Sequence, residues 1–145
     1  MLRALVLLLA LVAGTAWGQV WRTQSGTFID ARLVKTAPAI TAGTLTLDLH
    51  TANFFVVALG ANITTMTVSN YAATGTASSF TLITRADGTP RTIVYPVTTV
   101  WINNGGAAPT PSSISGKCDK YTAFTYDGGT TWYLTVDAQN FTCGV

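Results

Sequence analysis

The side chains best suited to acid–base work, metal ligation or cross-linking are few in this chain: His50, six aspartates, and the pair Cys118 and Cys143, with no glutamate at all. A histidine-based metal site or a Cys–His dyad needs partners, and His50 has none near it in sequence; a surface histidine on the polar face of a strand is the favoured reading. Asp87, Asp119 and Asp127 sit at or beside predicted turns, where aspartate side chains cap the local backbone. A glycosidase pair among the aspartates stays as a third-ranked alternative, because such pairs are spatial and not sequential. The glycine-rich pieces Asn104-Gly105-Gly106 and Gly128-Gly129 lack the lysine and following helix of a phosphate cradle, so they read as turns. Asn62-Ile63-Thr64 and Asn140-Phe141-Thr142 match the glycosylation pattern, which carries weight only in a eukaryotic secretory host. The sequence therefore assigns no catalytic residue, no metal ligand and no cofactor, and the protein is read as not an enzyme.

The cysteines point to a cross-link. Residues 121–139, YTAFTYDGGTTWYLTVDAQ, spell a hairpin: Asp127-Gly128-Gly129 reaches positive φ cheaply, and Thr, Tyr, Phe, Trp and Val fill the arms. With the turn centred on Gly128-Gly129, Cys118 falls opposite Gln139 and Cys143 lies about four residues further on. A disulfide then requires residues 140–142 to double back, and two unpaired thiols are the alternative. The disulfide is expected, which agrees with an oxidising destination.

Aromatic side chains lie on both faces of the same hairpin, since strand residues alternate sides. Core packing accounts for most of them, and for Trp101; Tyr121, Tyr126, Trp132 and Tyr133 are the candidates for a subunit interface or a sugar-stacking surface.

The rest of the chain supplies the scaffold for that hairpin. Residues 44–50 alternate, with Leu45, Leu47 and Leu49 on one face. Residues 53–59 are nearly all apolar and read as a central strand covered on both sides. Further strands are expected at 63–69, 79–84, 91–95 and 100–102, with loops at 70–78 and 103–115 and a turn at Asp87-Gly88-Thr89-Pro90. About eight short, regularly spaced strands predict an all-β fold, an antiparallel β-sandwich of jelly-roll type. Leu45, Leu47, Leu49, Val57, Val68, Phe80, Leu82 and Phe124 are expected to face inward.

Residues 1–18 carry one charge at Arg3, an apolar run, and small residues at Ala16 and Gly18 suited to signal-peptide cleavage, with Gln19 as the new N-terminus. A retained membrane anchor is the alternative; the core of the run is short of the roughly 20 residues a spanning helix needs. Residues 19–38 are mixed and polar, with a short strand at 27–34, and read as a lead-in arm; residues 39–145 form the β domain.

Net charge is +2, or +1 without residues 1–18, which is no electrostatic footprint for nucleic acid. Only 10% of residues are charged, so the domain is expected to expose more apolar surface than a monomer of this size hides.

Taken in order, TAGTLTLDL (41–49), NITTMTVSN (62–70), SFTLITRADGTPRTIVYP (79–96) and GKCDKYTAFTYDGG (116–129) resemble the β-sandwich module of bacteriophage tail fibres, receptor-binding proteins and related virion projections. The likeness covers roughly residues 40–141. It implies a structural or adhesive role, often as a homotrimer, and brings no catalytic motif. Two departures accompany it: the module is almost the whole chain, and an export-like start and a cysteine pair are unusual for phage parts. The expectation is a virion structural protein (tail fibre, spike or capsid decoration subunit) on the virion surface, partnered by copies of itself, by other virion proteins and by a host-surface glycan. The alternative is an exported carbohydrate-binding module, periplasmic or extracellular, touching membrane only through residues 1–18.

Overall fold

In a computed structural model, residues 33–96 and 98–144 are described. The expected signal segment, its cleavage point between Gly18 and Gln19, and most of the lead-in arm lie outside them.

Eight strands make up the described fold: β1 (Lys35–Thr36), β2 (Thr44–Asp48), β3 (Phe54–Leu59), β4 (Thr65–Ser69), β5 (Ser78–Ala86), β6 (Thr99–Trp101), β7 (Lys117–Thr125) and β8 (Trp132–Thr142). No α-helix occurs among the described residues. That follows from composition: β-branched and aromatic residues fill the periodic segments, and straight-chain helix formers are scarce.

Strand direction departs from the sequence expectation. The large sheet is mixed, in the order β1-β3-β5-β7-β8-β6, and the small sheet is β2-β4. The pairs β1·β3, β3·β5, β2·β4 and β6·β8 are parallel; among the described strands only β5·β7 and β7·β8 are antiparallel. An all-antiparallel sheet is therefore excluded. The first five strands alternate between the two sheets, each lying parallel to the strand before last, so the chain winds as a coil. Turns such as Gly60-Ala61-Asn62 pass the chain to the other sheet instead of folding it back on its neighbour. Short strand spacing cannot distinguish these two uses of a turn.

The winding continues past β5. Ile93 bridges in parallel to Ile63, just ahead of β4, and β6 then returns to the large sheet. The expected strand at 91–95 shrinks to that bridge. The hairpin β7–β8 is inserted between β5 and β6. Part of the supposed arm belongs to the sheet as well, since β1 pairs with β3.

One apolar core joins both sheets. Leu45, Leu47 and Met66 from the small sheet cluster with Phe55, Val57, Leu59, Phe80, Leu82, Tyr121, Ala123, Trp132 and Leu134 from the large one. Leu49 and Val68 are partly buried against it, as their alternation predicts. Phe124 is the exception: it points outward, and Ala123 takes the inward place. Ala123 lies opposite Phe80 on one side and Leu134 on the other, and between two large neighbours only a small side chain fits. Above Trp132 the loop at 70–77 closes the core, with the Tyr71 ring edge-on to the indole at 6.0 Å.

Glycine is required where that loop meets the hairpin turn. Gly129 has φ 74°, and a Cβ there would clash with three carbons of the Tyr71 ring. Gly129→Ala is expected to cost about 1–3 kcal/mol. Gly75→Ala, at φ 90° but facing open space, isolates the backbone component and should cost less. Urea midpoints of the two variants test the difference.

Candidate functional site

The hairpin's register explains which aromatics are available. Tyr121↔Val136 and Ala123↔Leu134 place the symmetry point between Gly128 and Gly129, as the sequence suggests. Both glycines have positive φ, and Asp127 ties the loop by accepting from Thr131 N at 2.9 Å and Thr125 Oγ1 at 2.8 Å. The Thr131 amide holds the Asp127 carboxyl below its ordinary range.

From this register the four candidate aromatics separate into two pairs. Tyr121 and Trp132 face inward, 0% and 2% exposed, and cannot meet a partner. Tyr121 packs against Tyr95 and Trp101 at ring distances of 6.0 and 6.3 Å, and burial pushes its phenol up to about 12. Tyr126 and Tyr133 face outward, and Phe124, which sequence reasoning turns inward, joins them.

These three rings form a stack on the outer face. Tyr133 lies between Phe124, at 5.1 Å and 15° between planes, and Tyr126, at 5.4 Å and 13°. The Tyr126 and Tyr133 hydroxyls are 2.9 Å apart, and that bond raises the Tyr133 phenol above its ordinary range. Val100 pairs with Tyr133 from β6, so the same row carries Val100, Tyr133 and Phe124 across three strands. Ile102 follows just beyond β6. Phe124, Tyr126, Val100 and Ile102 are 36%, 53%, 45% and 54% exposed. The signal for Val100 and Ile102 is present in the alternation around Trp101: an inward indole forces both neighbours out.

Next to this strip, farther from the turn, the outer face is polar but internally neutralised. Lys120 Nζ lies 3.0 Å from Asp137, which also accepts from Thr122 at 2.6 Å and Thr135 at 2.9 Å. Burial opposes the charge on Asp137, yet the bonds from Thr122, Lys120 and Thr135 outweigh it and hold the carboxyl below its ordinary range.

The remaining chemistry-bearing residues serve local structure. His50 is exposed just past β2, its backbone N donating to Asp48 at 2.9 Å. Asp87 caps its turn and pairs with Arg91 at 2.6 Å. Asp119 lies not at the expected turn but within β7, and is 1% exposed. It accepts from Ser112 N and Ser112 Oγ, both at 2.6 Å, and from Asn140 N at 2.9 Å. Among the described residues, no three His, Cys, Asp or Glu side chains converge as metal ligands.

Cys118 and Cys143 form the disulfide, with Cα atoms 6.0 Å apart. The tail does not double back to reach it. Register shifts around Lys120 move Cys118 from opposite Gln139 to opposite Phe141, and Asn140 takes φ 55°, which brings Cys143 close along the strand direction.

Comparison with protein-family models, with curated proteins and with solved structures finds no match to this chain.

Proposed function

We propose that this chain is a β-sandwich subunit of a bacteriophage particle surface, a tail fibre, spike or capsid decoration protein, which assembles with copies of itself and with other virion proteins and catalyses no reaction. The observation that carries the reading is the outward strip Ile102, Val100, Tyr133, Phe124 and Tyr126, on a sheet face where Lys120 and Asp137 already neutralise each other. Such a face gains by being covered and does not repel a copy of itself. The resemblance of the motif order to that of virion projections is the ground for the class, and the disulfide agrees with assembly outside a reducing cytoplasm.

Ring geometry favours packing over sugar binding. Sugars lie on open ring faces, and Tyr133 stacks against two neighbouring rings, Phe124 and Tyr126. The alternative, an exported carbohydrate-binding module, draws on Phe124 and Tyr126, each of which stacks on Tyr133 alone.

Light scattering on the protein beginning at Gln19 is expected to give a homotrimer mass at micromolar concentration. Val100→Lys with Tyr133→Lys should shift it to monomer while leaving the circular dichroism unchanged. A wild-type monomer, combined with glycan-array binding lost in Phe124→Ala or Tyr126→Ala, would replace the assembly reading by the carbohydrate one. Stoichiometric presence in purified virions tests the class itself.

A further inference from the structure

We propose that Asn104 is a site of spontaneous covalent modification, converting to aspartate and isoaspartate through a cyclic imide. The chain has six asparagines, and five are followed by larger residues: Phe54, Ile63, Tyr71, Asn104 and Phe141. Asn104 alone precedes glycine. The reaction needs the next residue's backbone nitrogen to swing onto the side-chain carbonyl, and a Cβ on that residue obstructs the approach.

The structure leaves the approach open. Residues 102–108 are all exposed, Gly105 has φ 67° and ψ 20°, and a Cβ there would meet nothing within 4 Å. The Gly105 N–H makes no hydrogen bond among the described residues, whereas Gly106 N and Ala107 N are both held by the turn. The nucleophile is thus unoccupied, while the two amides that follow it are held. The two Asp-Gly pairs are held more firmly: the Asp87 and Asp127 carboxyls each accept two hydrogen bonds, from Thr89 N and Arg91 and from Thr131 N and Thr125, whereas the Asn104 side chain makes one, from Nδ2 to Ala107 O.

In the step, Gly105 N bonds to Asn104 Cγ and gives its proton to solvent base, and the Cγ–Nδ2 bond breaks with release of ammonia. Water then opens the five-membered imide at either carbonyl. One opening leaves an ordinary aspartate at position 104; the other routes the main chain through Cγ and leaves isoaspartate there. No oxidant or reductant takes part.

The position gives the change a structural effect. The preceding residue, Asn103, extends the β6·β8 pairing with its side chain: Nδ2 donates to Val136 O and Oδ1 accepts from Val136 N, each at 2.9 Å. An isoaspartate link adds a methylene to the main chain directly after that clamp. The bond from Asn104 Nδ2 to Ala107 O, at 3.0 Å, is lost in both products. The segment just past β6 that carries Ile102 therefore loosens as the protein ages.

The test is incubation of the whole folded protein in mildly alkaline buffer, followed by peptide mass mapping. The peptide containing Asn104 should gain the mass difference between NH and O, with isoaspartate confirmed by isoaspartyl methyltransferase labelling. The other asparagine peptides should stay unchanged, and Gly105→Ala should slow the gain roughly tenfold by crowding the approach. An unchanged Asn104 peptide in the folded protein, while the urea-unfolded protein converts, would overturn the proposal. So would conversion concentrated at another asparagine, or an equal rate in Gly105→Ala.

Discussion

Asp119→Ala is expected to cost about 3–5 kcal/mol, a large share of the stability of an ordinary domain. The residue is 1% exposed, and its removal strands the donors it now satisfies: Ser112 N, Ser112 Oγ, Asn140 N and, at 3.4 Å, the buried Tyr121 hydroxyl. An unsatisfied buried donor costs about 1–3 kcal/mol, so the sum is not set by the aspartate alone. Asp119→Asn should fall between wild type and alanine. One amide oxygen still accepts, but the amide nitrogen must face either Ser112 N or Asn140 N, donor against donor. Urea unfolding followed by tryptophan fluorescence measures both variants. Equal stability of Asp119→Ala and wild type would show that solvent reaches these donors and that the clamp contributes little.

The second large effect is expected from the disulfide. Replacing Cys118 and Cys143 by serine opens a loop spanning 25 residues, and the chain-entropy account assigns about 3 kcal/mol to its closure. The loss should reach beyond the tail. The Cys118–Cys143 bond, the bond from Lys117 Nζ to Thr142 Oγ1 at 2.9 Å and that from Asn140 N to Asp119 all hold the irregular end of the hairpin. The two perturbations should therefore not be additive. Asp119→Asn in the serine background is expected to cost less than Asp119→Asn alone, because Asn140 is then already released. A double-mutant cycle on urea midpoints decides this, and strict additivity would separate the disulfide from the clamp.

The alternation of Leu45, Leu47 and Leu49 identifies one inward face, and the Asp127-Gly128-Gly129 turn sets the register that sorts the hairpin aromatics. What the residues do not disclose is non-local. Nothing in 44–48 or 65–69 states that they pair in parallel, because the partner arrives only after an intervening strand has gone to the other sheet. Phe124 is misplaced by a reading that lets size guide burial, since the interior there is already filled by Phe80, Trp132 and Leu134. Asp119 reads from its sequence neighbours as a turn residue. Its burial depends on Ser112 and Asn140, which reach it from a loop and from the register shift in β8.

Insertion of β7–β8 between β5 and β6 also constrains the order in which the molecule can form. β6 is made before β7 and β8, yet among the described strands its only sheet partner is β8. A nascent chain that has reached Trp101 must therefore hold that strand unpaired while some thirty further residues are synthesised. The winding strands β1 to β5 can settle early, but their non-local pairings make the closing contacts slow. During that interval Val100, Trp101 and Ile102 are an uncovered apolar edge, open to pairing with another molecule. The last of the described strands completes the interior of the sheet, so it is the formation of β8 that covers this edge.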